Sequence, residues 1–215
     1  MSESEHILCH SDGACLTVTI NRPQKANALT PEMLRALRDA FLSAARDETL
    51  RAVILTGGGE RVFCAGADLT TLHDQTDGPD PWEDMALALR AIPVPTLAAI
   101  NGPCMGGGLT LALSCDMRIC VDAARFAYPV LKNNVLPAQY DVDRLKALIG
   151  PGRTAAILLG GTTVSAAEAV AWGLVDRLVA ADQLAQTCQD LCAPALAADP
   201  AHLKTLKALL KKETP

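Results

Sequence analysis

The sequence predicts an α/β fold with much parallel strand pairing over residues 1–150, followed by a short helical region over 151–215. Three observations lead there. Short β-branched runs alternate with longer segments of helical periodicity, the order that builds parallel sheets with crossover helices. Glycine-rich turns stand directly after two of the strand candidates. Beyond Pro151 the pattern turns Ala- and Leu-rich, as suits helices packed on the α/β core or on a neighbouring subunit. A chain of 215 residues, half of them apolar, can bury one proper core. Aromatic residues make up only 3%, so that core is built from Ala, Leu, Val and Ile.

The strand candidates are Cys15–Ile20, Ala52–Thr56, Thr96–Ile100, Met117–Val121 and Val175–Val179. A helix lies between the first two. Thr30 is placed to cap it, Pro31 occupies its first turn, and Met33, Leu34, Leu37, Phe41 and Leu42 form one apolar stripe. A second helix is expected to begin near Asp68. Another follows Gly106 and runs through Leu109–Ser114, and one more covers Asp143–Ile149 before the stop signal Gly150-Pro151-Gly152. The segment His73–Pro81 is polar and rich in Gly and Pro, the composition of a surface loop.

Charge and composition exclude several functions. A formal charge of −5 leaves no concentrated basic face for nucleic acid. A phosphate-bearing ligand must therefore be met by local lysines or backbone amides. Lys204, Lys207, Lys211 and Lys212 form the basic cluster, read as the solvated face of a terminal helix. No apolar run reaches membrane-spanning length, and the N-terminus MSESEHILCH is unlike a signal peptide. A cytoplasmic location without a membrane partner is expected, and there the eight cysteines stay reduced. Neither they nor the four histidines show zinc-ligand spacing, so no metal is expected.

Three glycine-rich places carry the chemical signal: Gly57-Gly58-Gly59, Cys64–Leu69 and Met105–Gly108. None has the spacing of a phosphate loop or a dinucleotide fingerprint. The last triplet instead follows a strand and the turn Asn101-Gly102-Pro103, and opens a helix. The first N–H groups of a helix lack internal partners and lie at its positive end. Glycines there let an oxygen approach the backbone unobstructed by a Cβ. Such donors stabilise a developing oxyanion, and loss of one typically costs roughly 3–4 kcal/mol. Ala65, Gly66 and Ala67 expose backbone N–H groups in the same way after another strand, so the two turns can place two donors on one oxygen.

The segments NRPQKANAL (Asn21–Leu29), VILTGGGERVFCAGADL (Val53–Leu69) and AAINGPCMGGGLTLALSCDMRI (Ala98–Ile119) resemble the three signature blocks of the crotonase (enoyl-CoA hydratase/isomerase) superfamily. Their order and spacing match, as does LLGGTTVSAAEAVAWGLVDRLV (Leu158–Val179). The resemblance implies a spiral of ββα units, an acyl-CoA thioester as ligand, and homo-oligomers, trimeric or hexameric. By position it gives the two oxyanion N–H groups to Ala67 and Gly107, and the CoA lining to Lys25, Ala26, Ala65, Asp68 and Leu69. No separate cofactor is implied, since coenzyme A enters with the substrate. Family members usually continue several dozen residues past the position of Pro215, a stretch that closes the CoA site and joins subunits.

The resemblance also places two catalytic glutamates where this chain has Thr110 and Val130. Neither side chain has a pKa suited to acid–base work near neutrality. Hydration by the two-glutamate route is therefore not expected, and an isomerase relying on the second glutamate is excluded on the same ground. Tyr140 and Asp141 stand where the family has small glycines, and are candidates for a relocated proton donor or base. The competing reading has Asp141 or Asp143 capping the helix that runs to Ile149, and it is the preferred one. Asn133 and Asn134 read as turn residues that could also orient a water. Cys64 and Cys104 flank the two glycine motifs with no histidine in sequence reach, and read as structural thiols. Ser114 lies deep in its helix with no His–Asp set, which argues against a serine-protease relative. Two functions follow: an acyl-CoA enzyme with rearranged proton chemistry, a decarboxylase, thioesterase, isomerase or lyase, or a non-catalytic acyl-CoA-binding or accessory subunit.

Overall fold

Central strands that are apolar on both faces need a covering layer on each side, and this requirement sets the architecture. The computed structural model describes residues 6–70 and 80–211. In chain order its elements are β1 (Ile7–Asp12), β2 (Cys15–Ile20), α1 (Pro31–Arg46), β3 (Ala52–Gly57), α2 (Pro81–Ala91), β4 (Thr96–Ile100), β5 (Cys104–Met105), α3 (Gly107–Ser114), β6 (Met117–Val121), β7 (Arg125–Ala127), α4 (Val130–Asn133), α5 (Gln139–Leu158), β8 (Val164–Ser165), α6 (Ala166–Trp172), β9 (Arg177–Val179), α7 (Leu184–Ala197) and α8 (Pro200–Lys211).

One sheet runs in the order β1-β2-β3-β4-β6-β9 and a smaller one in the order β5-β7-β8. All pairs of the large sheet are parallel except the β1–β2 hairpin, with Leu16 opposite Val53, Val53 opposite Thr96 and Leu97 opposite Met117. In the middle of the chain one strand enters the large sheet and the next short strand the small one, as β4 then β5 and β6 then β7. This is the spiral of ββα units that the sequence resemblance implies. The same alternation sorts the side chains. Val53, Leu55, Ala98 and Ile100 face the main core with α1, α2 and α3. Ala52, Ile54, Leu97 and Ala99 face Leu184, Cys188 and Cys192 of α7.

Helix α1 begins as expected, with the Thr30 hydroxyl accepting from the Met33 N–H and Pro31 in the first turn. Its buried stripe is Met33, Leu34, Leu37, Phe41 and Ala44; Leu42 is only half-buried. Gly150 stops the helix at Ile149, but Pro151 restarts it at once, so α5 continues through a kink to Leu158. One lysine of the C-terminal cluster departs from expectation, while the side chains of Lys211 and Lys212 fall outside the described residues. Lys207 is buried rather than solvated, donating to Asp116 (2.8 Å) and to the Val94 carbonyl, and so docks α8 on the ends of β4 and β6. Most of His73–Pro81 lies outside the described residues.

Buried Arg118 ties the layers together. Its Nε donates to the Leu174 carbonyl (2.8 Å) and its Nη1 to the Cys115 carbonyl (3.0 Å) at the end of α3. A cation at a helix C-terminus also meets the negative end of the dipole. Thus α3 is held at its C-terminal end while its N-terminus faces the candidate site.

Candidate active site

Two loops meet where the small sheet begins. The Phe63 and Cys64 N–H groups donate to the Pro103 carbonyl (3.1 and 3.3 Å), and the Met105 N–H donates to the Cys64 carbonyl (2.9 Å). These bonds lay residues 63–67 alongside 103–107. Gly66 has φ +93° and Gly106 has φ +52°, and a Cβ on Gly66 would lie 2.9 Å from the Met105 oxygen and 3.0 Å from the Gly107 nitrogen. Only glycine at position 66 permits that approach.

The same hydrogen bonding aims two donors. The Leu29 N–H donates to the Gly66 carbonyl and the Asp68 N–H to the Leu29 carbonyl, both at 2.8 Å. In such a parallel bridge the intervening residue, Ala67, turns its own N–H away from Leu29. The Gly106 N–H is taken by the Ala127 carbonyl (2.9 Å), so Gly107 supplies the first open amide of α3. Among the described residues neither the Ala67 nor the Gly107 N–H donates to a protein acceptor. Both residues line one cavity of about 240 Å³.

Trp82 forms another part of that wall, and its indole ring packs directly on Gly107. Nothing in the sequence reading singled it out. The available signal was Asp80-Pro81: Asp80 accepts from the Trp82 N–H (2.9 Å) and starts α2.

The residues assigned to CoA divide into two groups. Ala65 and Leu69 line the cavity, Leu69 as an exposed rim residue. Lys25, Ala26 and Asp68 lie outside its wall. Lys25 is exposed on the single turn Pro23–Lys25, and Ala26 is joined to Ala65 by an N–H to carbonyl bond of 3.1 Å. Leu69 and Thr70 form a turn, and the rest of the helix expected to begin near Asp68 falls outside the described residues. The Asp68 carboxylate accepts from the Thr70 hydroxyl (2.7 Å) and N–H (3.0 Å) and pairs with Arg22 at 2.6 Å. Hydrogen bonds from Thr70, and then from Arg22, pull its pKa down to about 2. A depressed carboxyl pKa contributes stability above the unfolded value near 4 that is lost as pH falls toward 2. Arg22→Gln is therefore expected to destabilise by about 1–2 kcal/mol at pH 7. The gap to the parent should narrow below pH 4 in urea titrations; a constant gap would mean that the pair contributes nothing through charge.

Asp141 does not cap α5. That helix starts at Gln139 with Ala138 before it, and Asp143 sits exposed, accepting from Gln139 (2.9 Å). The Asp141 side chain is instead 1% exposed and turned into the cavity wall. Its Oδ2 accepts from the Thr110 hydroxyl (2.6 Å) and the Tyr128 hydroxyl (2.9 Å), while its Oδ1 has no partner among the described residues. Desolvation pushes the Asp141 pKa up, against the lowering effect of the two hydroxyls and of Arg90. Burial, and then the Asp141 charge, push the Tyr128 phenol up, so it stays a donor.

Tyr140 points elsewhere, its ring 3.8 Å from the Arg90 guanidinium and outside the cavity wall. Val130 and Asn133 line the cavity, and Asn134 ends α4 with φ +51° as a turn residue. Cys64 and Cys104 are fully buried, with desolvation raising the Cys64 thiol to about 12 and Cys104 well above its ordinary value. Both thus stay protonated. His73 lies outside the described residues. Among the described residues no cluster of three metal-ligating side chains occurs, and no helix is long and apolar enough to cross a membrane.

The fold and this arrangement define a member of the crotonase superfamily. Residues 10–215 match the enoyl-CoA hydratase/isomerase family model, and the chain belongs to that family. It is 39% identical over 200 residues to YngF of Bacillus subtilis, which carries an enoyl-CoA hydratase/isomerase name, covering 91% of this chain and 77% of that one. It is 34% identical to the carnitinyl-CoA dehydratase of Salmonella typhi, over 98% of this chain and 81% of that one. Among solved structures, an enoyl-CoA hydratase/carnitine racemase from Magnetospirillum magneticum superposes with a TM-score of 0.88 at 33% identity, covering 98% of this chain and 82% of the other.

Proposed function

We propose that this protein is an enzyme that binds an acyl-CoA thioester and holds its carbonyl oxygen between the Ala67 and Gly107 N–H groups. The observation that carries this reading is the pair of open amides, set side by side by the Cys64–Met105 zipper and lining one cavity. Polarising the carbonyl draws charge onto oxygen and makes the α-carbon acidic, so an enolate forms where two dipoles already point. The CoA portion would run over Lys25, Ala26, Ala65, Asp68 and Leu69, with Asp68 shaping the loop through Arg22. The relatives' names, a CoA hydratase/isomerase and a carnitinyl-CoA dehydratase, support a CoA ester as ligand.

The two-glutamate hydration route is not part of this reading, because Thr110 and Val130 stand at the positions where the family resemblance puts the glutamates. A purely accessory acyl-CoA binder would suit a cavity walled by Thr110, Val130 and aliphatic groups alone. The carboxylate of Asp141 in the wall supports an enzyme instead. Calorimetric titration with acetyl-, crotonyl- and malonyl-CoA, with product formation followed in parallel, tests the proposal. Binding with turnover of one ester is expected. Binding without turnover would favour the accessory role, and no binding by any ester would leave only the fold.

A further inference from the structure

We infer that Cys15 and Cys192 are a peroxide-reactive thiol pair, in which Cys15 is the attacking sulfur and Cys192 closes a disulfide that staples α7 to the large sheet. The inference is independent of the acyl-CoA reading and concerns the face of the sheet opposite α1, α2 and α3.

All eight cysteines are free thiols, and three of them meet on the face of the large sheet that α7 covers. Cys15 opens β2 and stands in parallel register with Ala52 of β3. Residues paired in this way point to the same face, and Ala52 faces α7. The Cys15 side chain accordingly packs on the cluster that holds Cys188 and Cys192. Those two lie one turn apart on the buried stripe of α7. Cys188 and Cys192 are 0% and 1% exposed, whereas Cys15 is only half-buried. The Cys192 thiol hydrogen-bonds to the Cys15 sulfur.

That contact divides the roles. A thiolate forms where water reaches it and a donor faces it, and both conditions hold at Cys15. The Cys192 hydrogen bond outweighs desolvation and the Asp12 charge, and brings the Cys15 thiol well below its ordinary value, to about 7. The same bond, together with burial, pushes the Cys192 thiol up, so Cys192 keeps its proton. Desolvation likewise raises Cys188 to about 12. The titratable groups facing Cys15 are thus Asp12 of β1 and Cys188 and Cys192 of α7, and its β3 neighbour Ala52 adds none. Cys9 is also open to solvent, but partial burial raises its thiol. A thiol that is low in pKa, reachable by solvent and beside a resolving cysteine is the kind that peroxide oxidises first.

The oxidant is a hydroperoxide, with hydrogen peroxide the simplest case. The Cys15 thiolate attacks one peroxide oxygen, the O–O bond breaks, and hydroxide leaves as the Cys15 sulfenic acid forms. That hydroxide takes up the proton Cys15 gave to solvent. The Cys192 sulfur then attacks the Cys15 sulfur, the S–O bond breaks, and the departing hydroxide takes the Cys192 proton. The two sulfurs lose two electrons, and one hydrogen peroxide becomes two waters. The sulfurs need only close from hydrogen-bond contact to about 2 Å. The new bond joins the start of β2 to the helix that covers β3, β4 and β6.

The test treats the parent protein with a small excess of hydrogen peroxide, blocks the remaining thiols and maps disulfides by mass spectrometry of unreduced peptides. A Cys15–Cys192 bridge is expected, reversed by dithiothreitol, with a Tm roughly 5–15 °C above that of the reduced protein. Before oxidation, iodoacetamide should label Cys15 about 5–10-fold faster than Cys9 at pH 7, because the larger thiolate fraction outweighs its weaker nucleophilicity. Cys192→Ala should slow the labelling of Cys15 to about the rate of Cys9, since the hydrogen bond is lost. The parent readouts stand alone if that variant fails to fold. A bridge to Cys188 instead, no bridge at all, or an unchanged Tm in the bridged protein overturns the inference. Labelling of Cys9 ahead of Cys15, or an unmoved Cys15 rate in Cys192→Ala, overturns it as well.

Discussion

Replacing Gly66 by alanine is expected to lower exchange of the butyryl-CoA α-hydrogens with solvent by about 10²–10³-fold, the usual effect of losing one oxyanion donor. The added methyl would sit 2.9 Å from the Met105 oxygen and 3.0 Å from the Gly107 nitrogen, and both are backbone atoms that cannot rotate away. The two loops must part, and the Ala67 and Gly107 amides then no longer converge. Position 66 also has φ +93°, which adds strain for any side chain. Gly13→Ala separates the two effects. Gly13 has φ +56° in the β1–β2 turn, with nothing within 4 Å of an added Cβ. It should cost about 1 kcal/mol of stability and leave exchange unchanged. Equal rates in the Gly66→Ala variant and the parent would mean that the loop approach has no part in holding the carbonyl.

The largest expected loss of stability belongs to Arg118→Met. Arg118 is 1% exposed, and its guanidinium donates to the carbonyls of Leu174, Cys115, Ala112 and Asp116. Its ion pair with Asp176 is long, at 3.4 Å, and Asp176 is 44% exposed on its side chain, so little of the effect comes from charge pairing. Methionine fills the volume but leaves those acceptors without a donor. A loss of about 3–5 kcal/mol is expected, of the order found when a buried charged partner is removed. For a chain of this length that corresponds to a fall in Tm of roughly 6–20 °C. The effect should reach the site, since Arg118 holds the far end of the helix whose first amide is Gly107. A thermal melt within a degree of the parent would show that these carbonyls find other donors.

Cys15–Ile20, Thr96–Ile100 and Met117–Val121 were legible because short, largely apolar runs there are bounded by turn residues, and their observed bounds agree residue for residue. Strand β1 was not. It buries only Ile7, so it carries no apolar alternation, although Asp12-Gly13 is a hairpin signal in plain view. Helix α2 was hidden behind the polar segment before it, although Asp80-Pro81 announces its start. Local glycine patterns were enough to mark two turns with exposed backbone N–H groups, because backbone amides need no particular side chain; the choice of Ala67 and Gly107 within them came from the family resemblance. Asp141 shows the opposite case. In sequence its preferred reading is a helix cap, with a relocated base as the competing one; only the fold shows its side chain bonded to Thr110 and Tyr128, 31 and 13 residues away. Asn27 is similar, fully buried, with its amide donating to the Gly58 and Val62 carbonyls and its oxygen accepting from the Arg22 N–H. Lys207 looks like one of several surface lysines until Asp116, 91 residues distant, is found beside it. Periodicity carries local structure; the pairing of polar groups across the core is set only by the fold.

Butyryl-CoA carrying carbon-13 at its carbonyl reports whether the Ala67 and Gly107 N–H groups together grip the thioester oxygen. Two converging N–H donors withdraw electron density from that carbon. Binding to the parent protein should move the carbonyl resonance downfield, and Gly66→Ala should largely abolish that shift. A ligand that binds with its carbonyl resonance unmoved, or moved equally in both proteins, would contradict the two-amide grip.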